Sequence, residues 1–368
     1  MNLIPGGWKR VVGTALIVVL TSLLCLYTAW SLGIGQLDGI MYETGAKLVG
    51  PGLYNYEQQQ SMQAPRWAPY LRAPFYALAF RPLLSHDFPY AWLAARLMTL
   101  IVLLLILPGA LAVPWQVTAL SPLFFSLAIN FGWEQDGVVN LLVLSLALWL
   151  YRRGARFAAG ATLAVTLQKP SLFLMLPVLL LLRKTKPVLM GYLVSAACLV
   201  ALSFALVGPS AIWEYPRLVS TALMDLYEMP ICRGIADSFG VMWLWPILTV
   251  GVVLLFVHTA RKVTFEAGYS LAIIASLLIS PNSYSYDLAV ILLPAIYFLV
   301  FGTRPQRIAS AAYFVPPMHF LFVLPPPWSA ANGLALLCFF AVAALTGSPE
   351  SQESSVDRPW SSTSIKAA

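Results

Sequence analysis

Residues 11–37 read VVGTALIVVLTSLLCLYTAWSLGIGQL, an uncharged run that follows Arg10 and ends before Asp38. A helix needs about 20 mostly apolar residues to cross the hydrocarbon core of a bilayer. A signal peptide is the competing interpretation, because basic residues precede the run and Ala29-Trp30-Ser31 resembles a cleavage site. Signal peptides use an apolar region of only about 7–15 residues, so we favour a first transmembrane helix that starts in the cytoplasm.

The composition extends this interpretation to the whole chain. Of the 368 residues, 60% are hydrophobic and 10% are charged, whereas a soluble domain carries about 25% charged residues. A soluble protein of this size could not bury so much apolar surface, so the excess is expected to face lipid. The net charge of +7 does not indicate nucleic-acid binding, because the basic residues form short clusters between apolar stretches. We predict an all-α polytopic membrane protein.

Apolar segments recur along the chain and predict about twelve transmembrane helices in a single domain that covers residues 1–346. The polar, Ser-rich tail at 347–368 is expected to be disordered and cytoplasmic. After the first helix, the predicted spans are 89–107, 115–130, 137–151, 155–167, 171–182, 188–207, 238–258, 267–279, 288–301, 308–324 and 331–345.

The distribution of charge orients these spans. If the N-terminus is cytoplasmic, the basic clusters at 152–156, 183–186, 261–262 and 304–307 all fall inside, as the positive-inside rule requires. Both termini are then cytoplasmic. This arrangement leaves two long outward loops, which cover residues 36–87 and 209–237. Residues 74–85 are too few to span and include Arg81, so we predict interfacial helices within the first outward loop.

The first outward loop opens with a predicted short helix. Asp38 stands where an N-cap belongs, Glu43 and Lys47 have the spacing of an i,i+4 ion pair, and the sequence Gly50-Pro51-Gly52 ends the helix. A carboxylate at the membrane surface could act as a base on a substrate held there. A capping role alone is the alternative for Asp38.

The order of several short motifs resembles family 87 of the GT-C glycosyltransferases, which are membrane enzymes that use polyprenyl-phosphate sugars. The similar motifs are Asp38 with Tyr42, AKLV and LY in the first loop, the APFYAL stretch at 73–78, Glu134-Gln135-Asp136-Gly137, Ala159-Gly160 with Lys169-Pro170, Met229-Pro230 with Arg233-Gly234, and SPNSYSYDL at 280–288. The sequence departs from the family pattern at three positions. Gly39 replaces an aromatic residue, Glu134 replaces a glycine, and Asn282 replaces a histidine found in many relatives.

The resemblance implies a GT-C-like helical bundle and an inverting glycosyltransferase of the cell envelope. Such an enzyme would move a hexose, with mannose favoured, from a polyprenyl-phosphate donor to a lipid or glycan acceptor at the outer face of the cytoplasmic membrane. Asp38 would be the catalytic base. The substrate-binding residues would be Tyr42, Arg72, Gln135, Asp136, Lys169, Arg233, Tyr286 and Asp287.

Six of the eight substrate-binding residues also have a simpler interpretation. Lys169 at membrane level could hold a phosphate or could be a snorkelling surface lysine. Arg72 and Arg233 could clamp a phosphate through their planar guanidinium groups or could contact lipid headgroups. Gln135 and Asp136 could bind sugar hydroxyls or only satisfy a turn, and Asp287 could cap a helix.

No cofactor is evident in the sequence. The four cysteines and three histidines are scattered, so no metal-binding residues are predicted, although we leave a divalent cation open. Neither a GxxxxGK[ST] loop nor a GxGxxG turn occurs, which is consistent with a lipid-carried sugar donor. The alternative function is that of a transporter or lipid-sugar flippase, which would favour internal repeats and ionisable residues near the bilayer midplane.

Overall fold

The structure is a computed structural model that describes residues 5–33, 38–63, 69–221, 229–315, 318–319, 321 and 325–346. Within these residues the regular secondary structure is helical and contains no strands, which confirms the predicted all-α class. The predicted tail at 347–368 lies outside the described residues.

Seventeen α-helices occur in the described part of the chain. In the first half these are α1 (Pro5–Leu32), α2 (Gly39–Leu48), α3 (Tyr56–Gln63), α4 (Pro74–Phe80), α5 (Phe88–Leu111), α6 (Ser126–Gly132), α7 (Gly137–Arg152), α8 (Arg156–Ala164) and α9 (Met175–Leu182). In the second half they are α10 (Lys186–Val207), α11 (Ala211–Thr221), α12 (Cys232–Ser238), α13 (Leu244–Ala260), α14 (Phe265–Ile279), α15 (Leu292–Phe301), α16 (Arg304–Ala312) and α17 (Ala330–Leu345).

Three helices among the described residues are long and apolar enough to cross a membrane: Val12–Ser31, Phe88–Leu111 and Lys186–Val207. Within the apolar 18-residue window of each helix, between 17% and 39% of the residues are buried, so most of each window is accessible from outside the bundle. Such surfaces are expected to contact lipid, which supports a membrane protein. Five shorter apolar helices accompany them. The count of twelve crossings, the single domain at 1–346 and the two outward loops stay predictions.

The bundle packs around α14. Every residue of α14 is buried, and the largest apolar cluster surrounds it. Two glycines let α8 and α10 approach closely, since a Cβ atom on Gly160 or Gly191 would collide with the backbone of the facing helix. This contact fixes α8, the helix that leads to Lys169.

Several predicted spans are interrupted by short 3₁₀ segments. The two predicted spans at 155–167 and 171–182 form α8 and α9, joined by 3₁₀ turns at Val165–Gln168 and Pro170–Leu172. Pro170 cannot continue a helix in this register because it lacks an N–H group. Likewise, the predicted span at 115–130 is a 3₁₀ helix at Trp115–Leu123 followed by α6. Irregular backbone at membrane depth is tolerated where protein buries it, and such breaks place polar groups inside a bundle.

A second, smaller apolar cluster underlies the predicted first outward loop. Tyr42 of α2 packs against Tyr76 and Phe80 of α4 and against Trp92 of α5, with ring centroids 4.9–6.5 Å apart. The helix predicted to begin after Asp38 is present as α2. Glu43 and Lys47 form the predicted ion pair on its exposed side.

Residues 74–85 are helical, as predicted. Pro74 stands in the first turn of α4, where its missing N–H costs nothing, and a 3₁₀ helix at Arg81–Ser85 follows directly. That residues 74–85 lie at the membrane interface stays a prediction.

Candidate active site

Asp38 directly precedes α2, yet its side chain makes no capping hydrogen bond to that helix. Instead, its Oδ2 atom accepts a hydrogen bond of 2.5 Å from Nε2 of Gln135. The purely capping interpretation of Asp38 is therefore wrong. The partly buried carboxylate faces the turn between α6 and α7.

Gln135 joins three chain segments through its side chain. Its amide nitrogen holds Asp38, while its Oε1 atom accepts hydrogen bonds from the Tyr42 hydroxyl at 3.2 Å and from Arg72 Nη2 at 3.3 Å. Asn130 of α6 supports the turn between α6 and α7 through the backbone of that turn. With its amide oriented to satisfy its neighbours, it donates to the Gln135 carbonyl and accepts from the Gly137 N–H, each at 3.0 Å. Gln135 therefore has a fixed orientation.

Arg72 and Asp136 form a buried ion pair beside this amide. Arg72 Nη2 lies 3.2 Å from Asp136 Oδ1, and the two side chains are 7% and 0% exposed. Arg72 is therefore not a surface arginine in contact with lipid headgroups. Arg72 Nε and Asp136 Oδ2 are buried and make no hydrogen bond within the described structure. Buried polar groups are normally satisfied, so these two atoms are places where a polar substrate could bind.

Lys169 and Asp287 form a second buried ion pair. The Lys169 ammonium lies 2.7 Å from each carboxylate oxygen, and the side chains are 7% and 1% exposed. The carboxylate of Asp287 also accepts from the Tyr284 N–H at 3.1 Å, so it caps its own 3₁₀ helix as well. Burial lowers the pKa of Lys169, and Asp287 opposes that effect. Lys169 is thus not a snorkelling surface lysine.

The two ion pairs and Asp38 belong to one electrostatic site. Burial raises the pKa of Asp38 from 3.8 to about 6. The hydrogen bond from Gln135 and the charges of Arg72 and Lys169 oppose this shift, whereas Glu134 adds to it. Tyr286 also belongs to the site, because its ring centroid lies 5.8 Å from the Lys169 ammonium. A carboxylate with a raised pKa next to two buried cations can accept a proton near neutral pH.

Arg233 is the predicted residue that lies apart from these contacts. Its Nη1 atom donates to the Pro281 carbonyl at 3.1 Å, and its guanidinium carbon lies 5.3 Å from the centre of the Trp245 ring. It therefore reaches the start of the turn that ends at Asp287. No carboxylate in the described part of the chain pairs with it.

Two charged residues outside the predicted site list support the site. For one of them, Arg96, the sequence indicated an acidic partner or a place lining the cavity, because it lies inside a predicted span. Arg96 of α5 is buried between the rings of Trp92 and Phe131, and it donates to the Phe131 carbonyl at 3.0 Å, which anchors the α6–α7 turn. The other contributor is Glu134, whose carboxylate accepts from the Gly39 N–H at 3.0 Å. The signal for Arg96 was its charge inside the predicted span at 89–107. The signal for Glu134 was that both Gly39 and Glu134 depart from the family pattern.

Metal binding was left open by the sequence. The residues described by the structure contain no group of three or more His, Cys, Asp or Glu side chains that could hold a metal ion.

Comparisons with known proteins bear on the identity of this site. Residues 70–281, more than half of the chain, match the family model described as "Glycosyltransferase family 87". The match includes Arg72, Gln135, Asp136, Lys169 and Arg233, and leaves Asp38 and Asp287 on either side. No curated protein and no solved structure matches the chain. The chain belongs to glycosyltransferase family 87 and is a membrane glycosyltransferase.

Proposed function

We propose that the protein is an inverting hexosyltransferase that uses a polyprenyl-phosphate sugar, with mannose favoured. Its acceptor would be a lipid or glycan at the outer face of the cytoplasmic membrane. The observation that carries the proposal is the Asp38 carboxylate, which does not cap its helix and is held by Gln135 with a pKa raised to about 6. A transporter is not retained, since the family is enzymatic.

Asp38 would act as the general base. A sugar or lipid hydroxyl is a weak nucleophile at neutral pH, so its proton must be taken up as the new bond forms. The acceptor oxygen would then attack the anomeric carbon from the face opposite the phosphate. The bond between that carbon and the phosphate oxygen breaks, and the electron pair leaves with polyprenyl phosphate. The anomeric configuration inverts.

Asp136 and Asp287 are weaker candidates for the base. Each already has a cation of the protein as its partner in a buried ion pair, Arg72 for Asp136 and Lys169 for Asp287. Asp38 is in no ion pair with a cation in the described structure; its hydrogen-bond partner is the neutral Gln135 amide, and its pKa is raised by burial.

The donor phosphate would lie near the cations of the site. Arg233 is favoured as its direct ligand, because a planar guanidinium binds phosphate bidentately and no described carboxylate neutralises it. Lys169 would stabilise the charge that develops on the leaving phosphate while it shares its ammonium with Asp287. Asp287, Tyr286, Asp136 and Tyr42 would position these groups and the sugar.

The test is transfer by the purified protein in nanodiscs. The donor is radiolabelled polyprenyl-phosphate mannose, and a membrane lipid extract supplies acceptors. Asp38→Asn retains an oxygen that can accept the bond from Gln135 but loses the ability to take up a proton, so transfer should fall by roughly 10²-fold or more. Glu43→Gln is the matched control, because Glu43 is a carboxylate of the same helix that pairs with Lys47 on the exposed side.

Donor binding should survive in Asp38→Asn. Near-normal turnover in this variant would contradict the base assignment and move it to Asp136 or Asp287. Equal transfer from polyprenyl-phosphate glucose would contradict the preference for mannose.

A further inference from the structure

The start of α2 needs a hydrogen-bond acceptor that Asp38 does not supply. The first N–H groups of a helix have no partner within the helix, and a side chain at the N-cap usually accepts from one of them. Here Asp38 occupies the N-cap position but makes no such bond. Glu134, which lies 95 residues further along the chain, accepts from the Gly39 N–H at 3.0 Å through Oε2. Glu134 thus satisfies a helix start from a distant turn.

The contact between Gly39 and Glu134 places a geometric requirement on each of the two residues. Gly39 must lack a side chain, because a Cβ atom at this position would collide with the Glu134 carboxylate. Glu134 is itself buried and adopts a backbone φ of +58°, a left-handed conformation that is uncommon for residues other than glycine. Its carbonyl accepts from Trp92 Nε1 at 3.0 Å. Backbone strain of this kind persists where the surrounding structure fixes it.

Glu134 and Gln135 act on consecutive residues of the helix start. Glu134 binds the backbone of Gly39, and Gln135 binds the carboxylate of Asp38. The backbone of the turn is held in place as well, because the Gln135 N–H donates to the Asn130 carbonyl at 3.0 Å. Two neighbouring side chains therefore fix both the backbone beside Asp38 and its carboxylate.

We infer that Glu134 is a positioning residue for Asp38: it holds the Gly39 N–H, and with it the backbone next to Asp38, while Gln135 holds the Asp38 carboxylate. This inference rests on the proposed function, in which Asp38 is the base. The charge of Glu134 has a second effect on the same group. Among the charged groups that act on Asp38, Arg72 and Lys169 lower its pKa and Glu134 raises it. Glu134 therefore strengthens the base that it positions.

Two substitutions separate these effects. Glu134→Gln keeps an acceptor oxygen and removes the charge, whereas Glu134→Ala removes both. In the transfer assay with polyprenyl-phosphate mannose, Glu134→Ala should lower kcat by roughly tenfold or more and leave KM for the donor within about twofold. Glu134→Gln should retain kcat within about threefold at pH 8 and shift the acidic limb of its pH profile to lower pH.

A third variant tests the same contact in case Glu134→Ala does not fold. Gly39→Ala leaves Glu134 in the chain but fills the space occupied by its carboxylate, so it should lower kcat in the same way. Glu43→Gln again serves as the control with unchanged activity.

Each outcome decides the inference. Normal kcat in Glu134→Ala or Gly39→Ala would overturn it. Equal losses in Glu134→Ala and Glu134→Gln, with the acidic limb unmoved, would show a structural role only and would also overturn it. Asp38→Asn is measured in the same series, so the two proposals can fail separately. Activity in Asp38→Asn refutes the base, whereas an inactive Asp38→Asn with a fully active Glu134→Ala refutes only the role of Glu134.

Discussion

Breaking the Lys169–Asp287 ion pair should destabilise the protein far more than breaking a surface pair. Both side chains are at most 7% exposed, and the ammonium lies 2.7 Å from each carboxylate oxygen. Removing one partner of a buried pair leaves an uncompensated buried charge, which costs about 3–5 kcal/mol. The exposed Glu43–Lys47 pair, in which Lys47 is 45% exposed, is expected to contribute about 0.3–0.5 kcal/mol. The loss in free energy of unfolding should therefore be about tenfold larger when the buried pair is broken than when the exposed pair is broken.

A double-mutant cycle measures this difference. Asp287→Asn retains an acceptor for the Tyr284 N–H, and Lys169→Met retains the length of the side chain without its charge. The double variant Lys169→Met/Asp287→Asn leaves no unpaired charge, so its loss should be smaller than the sum of the single losses by about 1–3 kcal/mol. The free energies of unfolding are measured in mixed micelles with increasing SDS, and Glu43→Gln with Lys47→Met provides the control cycle.

The pH dependence of Asp287→Asn gives the cycle an internal check. Burial already lowers the pKa of Lys169 below its ordinary value of 10.5, and loss of Asp287 removes the main opposing effect. Between the folded and unfolded pKa values, the folded variant then binds fewer protons than the unfolded chain, so its stability should rise with pH. Additive single losses, or a loss in Asp287→Asn as small as that in Glu43→Gln, would refute the assignment of a buried ion pair.

Two further predictions concern catalysis and topology. Because the pKa of Asp38 is raised to about 6, kcat/KM for transfer should fall about tenfold per pH unit below pH 6 and level off above it, and a flat profile between pH 5 and 7 would contradict its role as the base. In a background with Cys198 and Cys338 replaced by alanine, Gln60→Cys should react with a membrane-impermeant maleimide added to intact cells and Ala155→Cys should not; labelling of Ala155→Cys from outside would refute the predicted orientation.

The sequence predicted the features of the fold that depend on local composition. The uncharged run before Asp38 predicts a long helix, and Gly50-Pro51-Gly52 predicts the end of α2 at Leu48, because hydropathy and turn residues act over a few positions. The breaks on either side of Lys169 were harder to predict. A hydropathy pattern shows how many apolar residues follow one another, but it does not show where a helix tightens into a 3₁₀ turn.

The partners of the site residues could not be read from the sequence. Arg72 and Asp136 are 64 residues apart, and Gly39 and Glu134 are 95 residues apart, so only the packing of the bundle selects these pairs. The resemblance to the family indicated most of the site residues, but it did not show which groups their side chains contact. For Lys169, its place at membrane level suggested a phosphate ligand, and the structure shows that its partner within the chain is the Asp287 carboxylate. For Glu134, the sequence offered only two departures from the family pattern, at positions 39 and 134, and did not show that these two residues are in contact.

The separation of Lys169 and Asp287 also has a consequence for how the protein is made. The two residues are 118 positions apart, and a ribosome that adds about 5–20 residues per second needs about 6–24 s to cover that interval. For this time the nascent chain holds a lysine whose final partner has not been synthesised. A chain truncated before residue 287 keeps that lysine without its partner, which leaves an uncompensated charge in the truncated product. The candidate active site is therefore completed only late in synthesis, after most of the helices of the bundle have been made.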